Sequence, residues 1–248
     1  MQKPPSLSHA QQYLPRVIAV TGCDGAGKST LSEDISTHLA AMGETQWLYL
    51  GQSSGNIARW IQSLPLIGPP IGRYLVRKAN RAHSEKTTGP DTATTVVIFI
   101  LSHWRALKFR RMLRLSRRGV AVVTDRYPQA EVPGFYFDGP GLGAVNVENW
   151  LGRKLAIKEQ KLYESMARHI PALVIRLNID ADTAHARKPD HKLSMLHDKV
   201  TIIPSLQFNG AHVLDLDGCE PYEQVLAEAI DAVDTAINNN AGGQQAAR

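Results

Sequence analysis

The first chemically distinctive stretch of the sequence is a glycine-rich segment between an apolar run and an amphipathic run. Residues 22–29 read Gly-Cys-Asp-Gly-Ala-Gly-Lys-Ser and fit the spacing G-x-x-x-x-G-K-[ST]. Its glycines can take positive φ and turn backbone N–H groups toward an anion. The pattern predicts Lys28 on the β- and γ-phosphates of a nucleotide and Ser29 on Mg²⁺. The predicted ATP-binding residues are Gly22, Asp24, Gly25, Ala26, Gly27, Lys28, Ser29 and Thr30.

A second group of charged residues follows the apolar run 120–124. Asp125 comes directly after this run and is expected to hold the hydration shell of Mg²⁺ or to orient a phosphate acceptor. Arg126 is expected to bind a phosphate of the acceptor through two hydrogen bonds from its guanidinium group. The alternative is a solvent-exposed turn. The predicted catalytic residues are Lys28, Asp125, Arg126 and Arg187, and the predicted metal ligands are Ser29 and Asp125.

Two further features bear on phosphoryl transfer. A carboxylate at Asp24 would repel a nucleotide phosphate, unless it serves the acceptor as a hydrogen-bond partner for a hydroxyl or as a base. The alternative is that Asp24 only caps the turn of the loop.

Arg187 and Lys188, with Lys192 nearby, could form a lid that excludes water and brings positive charge to the donor phosphates. An ordinary basic surface loop is the alternative.

The elements that must position these residues are read from apolar runs that alternate with longer amphipathic stretches. Such alternation predicts an α/β fold, a five-stranded parallel sheet with helices on both faces. Ligands of such sheets bind at the carboxyl ends of the strands, where the glycine loop and Asp125 both fall. The predicted strands are 16–21, 47–50, 120–124, 172–178 and 213–216, and the predicted helices are 28–42, 94–118, 146–169 and 221–237.

The sequence predicts one domain, residues 15–237, between an N-terminal tail, 1–14, and a disordered tail, 238–248. Within the domain, 51–92 is expected to cover the acceptor side and 181–200 to be the lid region. The apolar part of the cover, 60–76, is broken by proline and glycine, which favours short helices over a membrane or partner patch.

Composition limits the classes of function. With 248 residues, 43% hydrophobic and 21% charged, the chain suits a soluble domain, and its net charge of +5 suits anionic substrates without requiring nucleic acid. Cys23 and Cys219 are expected to be free thiols in the cytoplasm. No uninterrupted run of 18 apolar residues occurs, so no membrane span is expected. The arginines of 94–118 are interpreted as a solvated helix face rather than a nucleic-acid site. The apolar residues of 94–101 could form a helix-to-helix contact in a homodimer.

These motifs together resemble the thymidylate kinases and related nucleoside and nucleotide kinases. The glycine loop is similar to that of the family, including its acidic residue, and Asp125-Arg126-Tyr127 resembles its Asp-Arg-Tyr motif. The resemblance implies a P-loop kinase fold, ATP and Mg²⁺ as cofactors, and a lid arginine at Arg187. Ser102-His103-Trp104-Arg105 stands in place of a segment whose arginine contacts the acceptor. The acceptor-binding residues so implied are Asp24, Arg105, Arg126 and Tyr127.

The resemblance favours phosphoryl transfer to a nucleoside monophosphate, but the acceptor side departs from the family. Gly51-Gln52-Ser53-Ser54-Gly55 stands where the family usually carries Arg-Glu-Pro-Gly-Gly, and Leu101 stands where an aromatic residue stacks on thymine. A kinase for another small molecule, such as a sugar or glycan precursor, therefore remains open. So does a regulatory module that binds a nucleoside triphosphate without transferring its phosphate.

Overall fold

The fold is organised around a parallel sheet of five strands. The computed structural model describes residues 11–52, 92–134, 141–144 and 150–245. The strands are β1 (Gln12–Gly22), β2 (Thr45–Tyr49), β3 (Ala121–Asp125), β4 (His169–Asn178) and β5 (Val213–Asp217). They pair in the order β2-β3-β1-β4-β5, with each neighbouring pair parallel. The prediction of an α/β fold with a five-stranded parallel sheet is confirmed.

Helices pack on both faces of the sheet. They are α1 (Lys28–Ala40), α2 (Thr92–Arg117), α3 (Trp150–Ala167), α4 (Ala181–Arg187), α5 (Leu193–Ile202) and α6 (Tyr222–Gln245). Two 3-10 turns, Leu142–Ala144 and Ile203–Ser205, complete the regular structure of the described residues. Helices α1 and α6 contact each other on one face, and α2 and α3 contact each other on the other face.

Strand β1 lies at the centre of the sheet and carries the core. Val17, Ile18, Ala19 and Val20 are fully buried because helices cover both faces of the strand. Val20 pairs with Asp125 on one side and with Ile175 on the other. This register brings the carboxyl ends of β1, β3 and β4 together, so the segments that follow these strands share one edge of the sheet.

The structure differs from the sequence prediction at both ends of the domain. β1 begins at Gln12, inside the predicted N-terminal tail, because Gln12 pairs with His169 at the start of β4. Helix α6 continues to Gln245, so most of the predicted disordered tail, 238–248, is helical; each added helical residue gains a backbone hydrogen bond. The lid region contains two helices, α4 and α5, that the sequence pattern did not indicate.

Several predicted features fall outside the described residues. These are most of the N-terminal tail, 1–10, nearly all of the acceptor-side cover, 53–91, and with it the apolar segment 60–76. Within the described ranges, none of the helices has the length and hydropathy that crossing a membrane requires. Both cysteines are free thiols, Cys23 buried and Cys219 exposed.

Candidate functional site

The glycine loop turns sharply as it leaves β1, and its glycines make this turn possible. Gly22, Gly25 and Gly27 have φ of 147°, 86° and 91°, which residues with a side chain rarely adopt. Gly22 also lies so close to β4 that a Cβ atom would stand 2.5 Å from the carbonyl oxygen of Leu177. Helix α1 begins at Lys28, so its positive N-terminal end faces the loop. The local geometry is therefore that of an anion-binding loop.

The lysine and the serine of the motif are joined to their surroundings by short hydrogen bonds. Lys28 is buried, and its Nζ donates to the carbonyl oxygen of Cys23 at 2.6 Å. Ser29 Oγ donates to Asp125 Oδ2, also at 2.6 Å, which links the start of α1 to the end of β3. Of the remaining predicted loop residues, Ala26 is buried and Thr30 is exposed on the first turn of α1. Predicted metal ligands Ser29 and Asp125 are thus brought together.

The second carboxylate oxygen of Asp125 provides a test of whether Mg²⁺ fits here. Asp125 is 1% exposed, and its Oδ1 accepts no hydrogen bond within the described ranges. Leaving a buried carboxylate oxygen without a donor is costly unless a cation or water completes its environment. A hydroxyl and a carboxylate oxygen are ligands of the kind that Mg²⁺ prefers. Ser29 and Asp125 therefore fit a Mg²⁺ ion.

Asp24 is the electrostatic centre of the loop because four side chains with basic groups approach it. Oδ1 accepts a hydrogen bond from Arg126 Nη2 at 3.3 Å, and Lys28 Nζ lies 4.0 Å from the same oxygen. Oδ2 accepts a hydrogen bond from Lys199 Nζ, and His191 Nδ1 lies 3.6 Å from it. Lys199 and His191 come from the lid region, which is thereby joined to the loop.

These contacts set the charge state of the loop. Burial raises the pKa of Asp24, but Lys199, Lys28 and Arg126 together outweigh it and hold the pKa well below its usual range. Asp24 is therefore ionised at neutral pH. Burial, and then the charge of Asp24, raises the pKa of the neighbouring Cys23 thiol. Cys23 is accordingly a neutral thiol rather than a reactive thiolate.

Arg126 adopts a backbone conformation that is unusual for a residue with a side chain. Its φ is 73°, and its backbone N–H donates to the carbonyl oxygen of Val20 at 2.8 Å. The side chain passes the ring of Tyr49, with the guanidinium carbon 5.7 Å from the ring centroid, and reaches Asp24. This conformation turns Arg126 toward the glycine loop, and its acceptor role stays a prediction.

Arg187 lies against the backbone of the glycine loop. Its Nη1 donates to the carbonyl oxygens of Gly25 at 3.3 Å and of Gly218 at 3.0 Å. Helix α4, which carries it, is capped by Asp180, whose side chain accepts a hydrogen bond from the backbone N–H of Thr183. The structure thus brings Arg187 to the loop, and its catalytic role stays a prediction.

Two of the residues that the resemblance assigned to the acceptor are buried. Tyr127 is 1% exposed, and its hydroxyl donates at 2.8 Å to the carbonyl oxygen of His169, the first residue of β4. The side chain of Tyr127 therefore belongs to the core of the described residues, and its acceptor role stays a prediction. Arg105 is fully buried, with its guanidinium carbon 5.6 Å from the ring centroid of Tyr163. An acceptor role for Arg105 stays a prediction.

Sequence reasoning did not find a buried polar network between α2, α3 and the end of β2. Gln52 Nε2 donates to Ser102 Oγ at 3.1 Å and to the hydroxyl of Tyr163 at 2.8 Å. Glu159 accepts hydrogen bonds from Ser102 Oγ and from the backbone N–H of Leu142. Burial raises the pKa of Glu159. The network ties the segment after β2 to both helices; nothing local in the sequence signals it.

A pocket of about 600 Å³ adjoins the glycine loop at the carboxyl ends of β4 and β5. Its volume is in the range of small-molecule sites. Residues of β4, β5, the lid region and the loop line it, among them Cys23, Asn178, Asp180, Ile203, Asp217 and Cys219.

Comparisons with known proteins agree with a nucleotide-binding loop. The chain is 50% identical over 223 residues to the Escherichia coli K12 protein named "Uncharacterized ATP-binding protein YghS", covering 90% of this chain and 94% of that protein. It is 42% identical over 221 residues to "Uncharacterized ATP-binding protein YghR" of the same strain, covering 89% and 88%. No family model matches the chain. The chain belongs to the family of ATP-binding proteins that includes these two relatives.

Proposed function

We propose that this protein is a P-loop phosphotransferase that uses ATP and Mg²⁺ to phosphorylate a small acceptor. The observation that carries the proposal is the 2.6 Å hydrogen bond between Ser29 and Asp125, formed beside the buried Lys28. In phosphoryl transfer, protein groups mainly position the reactants and stabilise charge. Lys28 would stabilise the transferring phosphate, and Ser29 and Asp125 would hold Mg²⁺. Arg187 would close over the donor nucleotide and bring positive charge to its phosphates.

The charge around Asp24 supports an acceptor that itself carries a phosphate. Lys28, Arg126 and Lys199 approach this single carboxylate, so the loop and its surroundings have an excess of positive charge. Arg126 can offer a planar pair of N–H donors to a second phosphate. A nucleoside monophosphate, the substrate class of the thymidylate kinase-like proteins, meets this requirement. A neutral sugar or glycan precursor does not use the excess charge.

The pocket beside the loop supports the assignment of a nucleotide donor. It borders Cys23 of the loop and is large enough for the nucleoside part of ATP. The ATP-binding names of the two relatives agree with this assignment. A cytoplasmic location, where ATP is present and thiols stay reduced, belongs to the same proposal.

The proposal is tested by measuring ADP release from ATP and Mg²⁺ with single acceptors added one at a time. The panel contains nucleoside monophosphates, nucleosides and sugars. We expect ADP to form quickly only with the correct acceptor, and we expect that acceptor to be a monophosphate. A sugar that works as well as any monophosphate would refute the acceptor class. ATP loss at the same rate without any acceptor would refute the kinase and favour a nucleoside triphosphate-binding module.

A further inference from the structure

A carboxylate inside a loop built to bind phosphate needs an explanation. Asp24 lies between Gly22 and Gly25, and 9% of its surface is exposed. Two negative charges a few ångströms apart in a partly buried site repel strongly, because little water screens them. An ionised Asp24 would therefore weaken the binding of a triphosphate unless other groups offset its charge.

Each oxygen of this carboxylate has a cationic partner from outside the loop. Oδ1 accepts from Arg126 at the end of β3, and Oδ2 accepts from Lys199 of α5. Lys199 is 8% exposed and lies 175 positions from Asp24 in the sequence. Lys28 is a third cation near Asp24: its Nζ is 4.0 Å from Oδ1 and also donates a hydrogen bond to the carbonyl oxygen of Cys23.

We propose that Lys199 is a positioning residue that neutralises Asp24, so that the glycine loop accepts the triphosphate and α5 stays against the loop. This rests on the proposed function only in taking the loop as the triphosphate site. When a triphosphate engages Lys28, the charge of Asp24 is left to Arg126 and Lys199. In this arrangement Asp24 holds α5 to the loop through its ion pair with Lys199.

The proposal predicts that one substitution weakens MgATP binding and that a second substitution, added to the first, restores it. Lys199→Met leaves a buried carboxylate without one partner, so the Kd for MgATP should rise at least about tenfold. Asp24→Asn removes the repulsion, so in the Lys199→Met background it should restore the Kd to within about threefold of wild type. Lys199→Arg keeps the charge and should bind MgATP like wild type.

The experiment is a titration of the full-length protein with MgATP and no acceptor, followed by fluorescence or calorimetry. Lys161→Met, which removes an exposed lysine of α3, is the matched control and should leave the Kd unchanged. Thermal unfolding shows whether each variant is folded, and Lys199→Gln replaces Lys199→Met if the latter is not. The recovery of affinity in the double variant would not follow from a merely structural role of Lys199.

Two results would overturn the proposal. One is a Lys199→Met protein with wild-type affinity for MgATP. The other is a double variant that binds as weakly as Lys199→Met, which would make Lys199 a direct phosphate ligand. Failure of the proposed function is a different result, since it would leave the wild-type protein with tight MgATP binding and no acceptor-dependent ADP release. A wild-type protein that binds no MgATP would refute both.

Discussion

Ser29 and Asp125 lie 96 positions apart in the chain, yet their side chains share a hydrogen bond of 2.6 Å. The parallel pairing of β1 with β3 accounts for this, because it places the ends of the two strands side by side. The hydroxyl thereby lies next to a buried carboxylate. We expect this fixed contact to lower the cost of ordering the proposed Mg²⁺ site.

Removing the Ser29 hydroxyl should raise the requirement for magnesium. In Ser29→Ala, the Mg²⁺ concentration for half-maximal ADP formation should increase about tenfold, because one proposed ligand is lost. The measurement is a Mg²⁺ titration at saturating ATP and acceptor. Thr37→Ala, on the same helix with an exposed hydroxyl, is the control and should titrate like wild type. An unchanged Mg²⁺ dependence in Ser29→Ala would remove Ser29 from the metal site.

Truncating Arg126 should damage the use of the acceptor more than the binding of ATP. Arg126→Gly suits the φ of 73° at this position, so the backbone can be kept while the guanidinium group is removed. The KM for the acceptor should increase about a hundredfold, whereas the Kd for MgATP should increase only about tenfold, because Asp24 loses one of its cationic partners. Steady-state kinetics and a binding titration measure the two quantities. Equal losses in both would contradict the assignment of Arg126 to the acceptor.

A methyl group at Gly22 should destabilise the fold and block the loop. Its Cβ would stand 2.5 Å from the carbonyl oxygen of Leu177, at a φ of 147°. We expect Gly22→Ala to lower the free energy of unfolding by about 2–3 kcal/mol and to abolish MgATP binding. Gly43→Ala is the control, since a Cβ there would meet no atom within 4 Å. Chemical denaturation measures both, and equal stability of the two variants would show that the close approach to β4 is not limiting.

The low pKa of Asp24 should appear in the pH dependence of stability. A carboxyl whose pKa is lowered in the folded state stabilises the fold above its ordinary pKa, about 3.9, and loses this contribution as the pH falls further. Wild type should thus be more stable than Asp24→Asn at pH 7, and the difference should narrow below about pH 4. Denaturation of both proteins from pH 7 to pH 3 measures it. A difference that is constant over this range would show that the cations near Asp24 do not stabilise its charge.

The glycine loop and the strands could be predicted because their signals are local. Buried parallel strands appear as continuous apolar runs, such as 120–124, and the loop has fixed spacing between its glycines and Lys28. The direction of the strands then placed Asp125 near the loop. The start of β1 at Gln12 could not be predicted in this way, because it depends on pairing with His169, far along the chain.

The contacts made by Lys199 and Gln52 could not be predicted, because they depend on tertiary packing alone. Lys199 resembles any other lysine of a helix until α5 folds back on the loop. Gln52 is buried through partners on α2 and α3, and no periodic pattern includes it. The burial of Tyr127 was likewise not predictable, since its position in a motif indicated a ligand, whereas the structure places its side chain in the core.

The central position of β1 has a consequence for dividing the protein into fragments. A break in the chain between β3 and β4 would give one fragment with β1, β2 and β3 and another with β4 and β5. The interface between the two fragments would include the pairing of β1 with β4. The first piece would carry Lys28, Ser29 and Asp125, and the second would carry Lys199 and Arg187. Nucleotide affinity in a mixture of the two pieces would thus report their reassembly, which makes this fold a candidate for a complementation reporter.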